Sequence, residues 1–247
     1  MATTLFHISD VHFGVEDRAA LDRFARAVAQ EKPDAVVCSG DLTQRAKRSE
    51  YAAAERWLGA LGVPVVLQPG NHDMPYYNPW ERFRDPFRRF RRLDEAVGSA
   101  PDFEDVAIVP LLTTVPAQWR VPWSDGVVKA GALARTIMAL EELRGDPRHK
   151  LVIAHHPLLG PDNGRRNPTI GGEAAFDAIA HAGADAVLSG HVHVPFDEVR
   201  EREGRALRTI GAGTLSTRLR EGAPASYRVI NCEKGGPIAS ELRLIGS

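Results

Sequence analysis

Within the first 70 residues, three short apolar runs alternate with two helix-like stretches, and this restricts the fold more than any other feature. Residues 4–9 (TLFHIS), 35–39 (AVVCS) and 63–68 (VPVVLQ) have strand character. Between the first two, residues 18–30 (RAALDRFARAVAQ) carry Leu21, Phe24, Ala25 and Val28 at helical spacing, and Pro33 stops the helix. Between the second and third, residues 50–61 (EYAAAERWLGAL) predict a helix ended by Gly62. Parallel strands need long crossovers, so this βαβαβ order implies a parallel sheet with helices packed on it.

The pattern then loosens. Residues 79–92 (PWERFRDPFRRFRR) place Trp80, Phe83, Phe87 and Phe90 at helical spacing, with Pro86 as a break. Residues 107–114 read as a strand, 133–144 as a helix, 150–154 (KLVIA) as a strand, 172–182 as a helix and 186–189 (AVLS) as a strand. The stretches 198–201, 205–210, 227–232 and 238–244 are strand-like with no helix between them, which predicts an antiparallel region at the end of the chain. No repeat, low-complexity tract or linker interrupts the sequence. The expectation is a single domain over 1–247, with cap elements around 74–100 and 160–172.

Composition narrows the class. The chain has 31 Lys and Arg against 32 Asp and Glu, so its net charge of −1 draws neither nucleic acid nor an anionic membrane without a local patch. No stretch reaches the length of a membrane span, and the N-terminus lacks the basic and apolar runs of a signal peptide. A cytoplasmic protein with no membrane partner is expected. Two cysteines, Cys38 and Cys232, lie in apolar surroundings and are expected to be buried as small apolar side chains, with no disulfide framework and no CxxC zinc pattern.

The strands share polar carboxyl ends. Five predicted strands run into Asp10-Val11-His12, Gly40-Asp41, Gly70-Asn71-His72-Asp73, His155-His156-Pro157 and Gly190-His191-Val192-His193. Ligands of open α/β sheets bind outside the carboxyl ends of the strands, so these segments converge on one place. An isolated Asp-x-His or Gly-Asp is an ordinary solvated turn; five such ends in order are not. Side chains two apart point the same way in an extended segment, so Asp10 and His12 are placed to share an ion, and His191 and His193 to serve neighbouring ions. Carboxylate, imidazole and amide oxygen suit Mn, Fe, Zn or Co, and the lack of thiolate argues against a soft-metal site. The donors are too many for one ion and fit two, about 3.5–4 Å apart and bridged by a carboxylate. Two divalent ions on the carboxylates of Asp10 and Asp41 leave a net positive site, suited to a phosphate and to acidifying a bound water.

These motifs together resemble the five motifs of the calcineurin-like metallophosphoesterase superfamily. Gly-Asn-His-Asp, His-His-Pro and the stretch AGTLSTR at 212–218 are similar to the bacterial class III cyclic-nucleotide phosphodiesterases within it. The resemblance implies an α/β fold, a four-layer αββα sandwich of mixed sheets flanked by helices, with a dinuclear metal centre at the strand ends. It implies that Asp10, His12, Asp41 and His193 hold one ion. Asp41 then bridges to a second ion, completed by Asn71, His155 and His191, with His156 as the alternative to His155. His72 is no ligand but the general acid, with Asp73 orienting its ring, while a metal-bridging hydroxide attacks phosphorus.

The activity implied is hydrolysis of a small phosphate ester, with a phosphodiester such as a cyclic nucleotide first. A nuclease of the SbcD type is the alternative enzyme, and a scaffold that has lost catalysis is the alternative outside enzymes. The intact ligand motifs and His72 speak against the scaffold. Nucleic acid is disfavoured as a partner by the charge and by the short chain after His193, and a homodimer is kept as an option.

Other residues carry weaker signals. His7 reads as a core histidine or a support behind the ligands, and His149 and His181 as surface residues. For the arginines at 82, 84, 88, 89, 91 and 92, one reading is an amphipathic segment with its aromatics in the core; the other is a cap that touches an anionic substrate. The loop 160–172 (GPDNGRRNPTIGG), with Arg165 and Arg166, is a candidate pocket wall. Gln118, Trp119 and Trp123 occupy another loop, where core packing of the tryptophans is expected ahead of base stacking. Arg218 and Arg220 follow AGTLST with no role assigned.

Overall fold

The computed structural model describes residues 2–98, 101–119, 121–160, 169–220 and 222–246. β1 (Thr3–Ile8), α1 (Arg18–Glu31), β2 (Ala35–Cys38), α2 (Arg48–Gly59) and β3 (Val65–Leu67) come in that order, and β1, β2 and β3 pair in parallel. α1 starts on Asp17, whose side chain accepts the Ala20 N–H, and ends at Lys32 in a left-handed conformation just before Pro33. The expected helix over 79–92 is two pieces, α3 (Pro79–Arg84) and α4 (Arg88–Val97), separated around Pro86. The chain continues through β4 (Val106–Pro110), β5 (Gly126–Val127), α5 (Ala130–Glu142), β6 (His149–Ile153), β7 (Thr169–Ile170), α6 (Gly172–His181) and β8 (Ala186–Ser189). It closes with β9 (Phe196–Arg202), β10 (Arg205–Gly211), β11 (Ser226–Cys232) and β12 (Ala239–Leu244).

The strands build two five-stranded sheets, ordered β12-β11-β1-β2-β3 and β4-β6-β8-β10-β9; β5 and β7 pair separately. Alternation along each strand divides its side chains between two layers. Leu5, Ala35 and Val37 of the first sheet meet Leu151, Ile153, Ala186 and Leu188 of the second between the sheets. Phe6, Ile8, Val36 and Cys38 face outward under α1, α2 and α4, where Phe24 packs against Phe6, Trp57 and Tyr227. Val152 and Val187 face outward under α5 and α6. The result is the four-layer αββα sandwich of mixed sheets. Cys38 and Cys232 are free and buried within it. No helix among the described residues is long and apolar enough to cross a membrane.

Two expectations need correction. The last four strands do not form one antiparallel region. β9 and β10 are an antiparallel pair, but β10 also pairs in parallel with β8 in the second sheet, whereas β11 and β12 join the first beside β1. Periodicity marks these segments as extended but carries no information on which sheet receives them. The aromatic stripe at 80–90 is not a core stripe either: Phe90 is buried, but Trp80 and Phe83 are exposed. The break between α3 and α4 ends the single helical phase that would have put all four rings on one face. Arg84 instead lies over the Trp80 ring, 5.0 Å from its centroid. Of the loop at 160–172, residues 161–168, including Arg165 and Arg166, lie outside the described residues.

Glu81 joins the two helical pieces. Its buried carboxylate takes Arg88 at 2.7 Å and Arg89 at 2.5 Å. Arg89 foremost, with Arg88, holds it down from an ordinary 4.5 to about 2 against the opposing effect of burial. A carboxylate whose folded pKa is depressed stabilises the fold above its unfolded pKa, and that stability is lost as pH falls through the folded one. Glu81→Gln is therefore expected to lower the unfolding free energy at pH 7, with the gap to wild type closing between about pH 4.5 and about pH 2. Denaturant melts across that range check it; a gap that does not narrow would contradict the pairing.

Candidate metal centre

β1, β2 and β3 are parallel neighbours in one sheet, and β6 and β8 in the other. Their carboxyl ends meet at one end of the sandwich. The Asp10 N–H bonds to Gly40 O (3.0 Å), the His12 N–H to Asp41 O (3.0 Å) and the Gly190 N–H to His155 O (2.9 Å). Across the sheets, the His191 N–H donates to Asp10 Oδ2 at 2.8 Å.

The strands do not run on through the motifs. Asp10, His12, Asp41, His191 and His193 all have left-handed backbones, with φ between 50° and 68°. Asp10 and His12 therefore do not share a direction because their segment is extended, as the sequence suggests; a left-handed turn at each aims the side chain. Asp and His tolerate this region better than most residues, yet such a conformation costs of order 1–3 kcal/mol and concentrates at functional sites. Close approach of the backbones requires the motif glycines. A Cβ at Gly40, where φ is 114°, would lie 2.5 Å from His155 Nδ1, and one at Gly190 would lie 1.7 Å from Ser9 Oγ.

The side chains so aimed form two donor groups. His193 Nε2 lies 3.0 Å from Asp10 Oδ1 and 3.2 Å from His12 Nε2. His12 Nε2 lies 3.6 Å from Asp10 Oδ1 and 3.9 Å from Asp41 Oδ2. On the far side of Asp41, His155 Nε2 is 3.4 Å from Asp41 Oδ2 and 3.2 Å from Asn71 Oδ1, and His191 lies close enough to His155 to share an ion. Donors about 2.0–2.2 Å from one ion stand roughly 3.0–3.5 Å from each other, so most of these spacings are those of coordination edges. Asp41 Oδ2 belongs to both groups. Asp10 Oδ1, although buried, accepts no hydrogen bond among the described residues, as expected of an oxygen that faces a cation. The residues present fit bound metal.

Electrostatics point the same way. Burial alone would raise Asp10 and Asp41, but His12 and His193 around the first and His155 beside the second outweigh it and hold both carboxylates below their usual range. Burial alone would lower His155, yet Asp41 above all reverses this and lifts it to about 9. Burial, then the neighbouring His155, keeps His191 neutral by lowering it to about 3. Nδ1 of His155 bonds to Ser39 O (2.9 Å) and Nδ1 of His193 to Arg218 O (2.6 Å), which fixes each Nδ1 proton on a carbonyl and turns each Nε2 toward the site; on His155 an arriving ion takes the place of the Nε2 proton that Asp41 favours. His156 is near His155 and His191, but its Nδ1 is engaged by Thr113 Oγ1 (2.9 Å) and its Nε2 by Ser124 O (2.8 Å), so His155 is the better-presented of the pair. His7 is a buried neighbour outside both groups, with its Nε2 on Ser39 Oγ at 2.9 Å.

His72 and Asp73 come after Gly70 in one 3₁₀ turn, Asn71–Asp73. The His72 N–H donates to Asp41 Oδ1 at 2.8 Å, and its ring stands edge-on to His12. Asp73 does not orient that ring, contrary to the expectation from the resemblance. Its Oδ1 accepts the Thr43 N–H (2.8 Å) and hydroxyl (3.0 Å), and its Oδ2 the N–H groups of Gly70 (2.9 Å) and Leu42 (3.2 Å). Those four donors favour the charged form, while burial and the Asp41 charge push Asp73 up to about 6. The ring is held instead by the Gln44 carbonyl, 2.7 Å from His72 Nδ1. No sequence signal marks that contact, since every residue type carries a carbonyl. Arg218 is the other residue at the site, its guanidinium 3.4 Å from His12 Nε2. Trp119 and Trp123 are exposed rather than packed in the core, on a loop that reaches the site through Ser124 O.

A family model described as calcineurin-like phosphoesterase matches residues 3–195. A probable cyclic nucleotide phosphodiesterase of a Synechococcus strain is 27% identical, over 99% of this chain and 93% of its own. A glycerophosphodiester phosphodiesterase of Enterobacter lignolyticus is 31% identical, over 66% of this chain and 60% of its own. Among solved structures, a dimetal phosphatase from Danio rerio superposes with a TM-score of 0.66 over 98% of this chain and 96% of its own. At 14% identity that likeness concerns the fold alone.

With Asp73 acting as a clip between two motif loops, Asp73→Asn sets an amide NH₂ against backbone donors. The metal-free protein is expected to lose about 1–3 kcal/mol of unfolding free energy. Urea denaturation in the presence of a chelator checks this, and unchanged stability would remove the clip.

Proposed function

The chain belongs to the calcineurin-like phosphoesterase family, and from that premise we propose that this metal-dependent phosphoester hydrolase is a phosphodiesterase. Its substrate would be small, such as a cyclic nucleotide, and it would use two ions. The observation that supports two rather than one is Asp41 Oδ2, which stands between the His12 side and the His155 side at 3.9 and 3.4 Å. Asp10, His12, Asp41 and His193 would hold one ion, and Asp41, Asn71, His155 and His191 the other. When bound, Mn, Fe, Zn or Co supplies Lewis acidity toward a phosphoryl oxygen and lowers the pKa of a bound water.

The remaining work belongs to the chain. With its Nδ1 proton held on Gln44 O, His72 presents Nε2 to the cleft beside His12. A proton on Nε2 can pass to the departing ester oxygen, which matters most for a diester with a poor leaving group. Asp73 serves this step indirectly, by fixing the loop that carries His72. The rim favours a substrate with a flat group. Tyr76 and Tyr77 are exposed just beyond Asp73, with the Arg45 guanidinium 5.8 and 5.6 Å from their ring centroids, and Trp119 and Trp123 are exposed on a second rim loop. Exposed aromatic faces near a phosphate site suit base stacking.

The reading is tested by kcat/KM of the Mn-loaded protein on bis-p-nitrophenyl phosphate, p-nitrophenyl phosphate, 3′,5′-cAMP, 2′,3′-cAMP and single-stranded DNA. A preference for small diesters is expected; preference for the monoester or for DNA would displace it. Asp41→Asn should lose metal, and full occupancy of both sites by elemental analysis would sink the bridging role. His72→Ala should keep its metal while kcat on the cyclic nucleotide drops about 10²–10⁴-fold. An unchanged kcat there would remove His72 as the acid.

A further inference from the structure

The stretch AGTLSTR at 212–218 is bound tightly to the metal end of the fold. Thr214 Oγ1 donates to Asp10 O at 2.6 Å, Thr217 N–H to Val15 O at 3.1 Å, and the Arg218 carbonyl receives His193 Nδ1 at 2.6 Å. The stretch is thereby fixed to two of the motifs, and the Arg218 backbone itself to His193. The Arg218 side chain turns into the cleft. The terminal nitrogen Nη1 lies 3.3 Å from His72 Nε2, 3.4 Å from His12 Nε2 and 3.4 Å from Gln44 Oε1.

We propose that Arg218 is a substrate-binding residue whose guanidinium grips a non-bridging oxygen of the phosphate, beside the His72 that protonates the leaving oxygen. The proposal rests on the phosphoesterase reading above and adds to it the residue that holds the anion from the protein side. Three observations carry it. The guanidinium is not committed to an acid: among the described residues no carboxylate pairs with Arg218, whereas Arg88, Arg89 and Arg228 each have one. Its contacts at 3.3–3.4 Å are long beside the roughly 2.7–2.9 Å of a charge-assisted bond, and those to the ring nitrogens of His12 and His72 give way once the first holds an ion and the second a proton, so Gln44 Oε1 alone keeps a claim on its five donors. Lastly, a fixed positive charge next to His12 opposes cation binding there. A residue that served only the metal would be neutral or acidic, while one that receives a phosphate gains from the same placement. The planar fork of Arg matches two phosphate oxygens in a way that a Lys ammonium does not.

The test uses inorganic phosphate as probe, titrated calorimetrically into Mn-loaded wild type, Arg218→Ala and Arg218→Lys, with metal content measured in parallel and kinetics on bis-p-nitrophenyl phosphate. Arg218→Ala should keep its metal, or bind it more tightly, yet bind phosphate at least about tenfold more weakly and lose about 10²–10³-fold in kcat/KM. Arg218→Lys should recover part of the phosphate affinity. Unchanged phosphate affinity and kcat/KM in Arg218→Ala would overturn the proposal. Loss of metal from that variant would also overturn it, since Arg218 would then be a support for His12. If wild type hydrolyses no ester but its phosphate affinity still depends on Arg218, the phosphoesterase reading falls and the anion contact stands.

Discussion

Two carboxylates buried at the end of a β-sandwich set the terms for the rest of the molecule. Asp10 is 0% exposed and Asp41 1% exposed, and an unpaired buried charge costs several kcal/mol. The chain treats the two alike. One oxygen of each is tied to a backbone N–H from another motif: Asp10 Oδ2 to His191 and Asp41 Oδ1 to His72, both at 2.8 Å. The other oxygen of each is turned toward imidazole nitrogens. Half of each acid is thus fixed by the fold, and half is offered to positive charge. The same backbone bonds that partly neutralise the acids also tie four of the motif loops in two pairs, Asp10 with His191 and Asp41 with His72, so metal-site geometry and loop packing are one problem rather than two.

That demand explains the architecture beneath it. Five loops reach a single point only if their strands run parallel and end together, which crossover helices on the outer faces provide. The apolar layer between the sheets, with Leu5, Val37, Ile153 and Leu188, brings the two sets of strand ends into register. Left-handed residues then turn the side chains inward at the cost of local strain, and the helix-covered core offsets it. The motif glycines meet the same demand, because a side chain at Gly190 would collide with Ser9 across the sheets.

Much of this was legible in the sequence, for a physical reason: strand periodicity and ligand chemistry are local. The order of apolar run and polar end, from Asp10 to His193, specifies which side chains stand at which strand terminus. Nonlocal choices were not legible. β10 joins β8 while β11 joins β1, and nothing in 205–211 or 226–232 distinguishes those fates. Trp80 and Phe83 keep helical spacing with Phe90, yet a two-piece helix carries them to the surface. Asp73 sits directly after His72 and invites pairing with it, but a side chain in a tight turn points away from its neighbour, and four donors from other loops claim it. Backbone carbonyls that set imidazole tautomers, at Ser39, Gln44 and Arg218, leave no trace in residue identity.

The division between legible and illegible parts matches a division of labour at the site. Donors on strand-end turns are held by backbone bonds and a dry core, so they tolerate little change. The aromatic rim, with Tyr76, Tyr77, Trp119 and Trp123, is exposed and rests on loops, the part of a fold on which binding residues are commonly carried. Arg218 lies on the boundary, with a backbone carbonyl that holds His193 and a side chain that pairs with no acid among the described residues. A residue built in that way can link the fixed chemistry to the variable substrate, because its position is set by the frame and its guanidinium still answers to what enters the cleft.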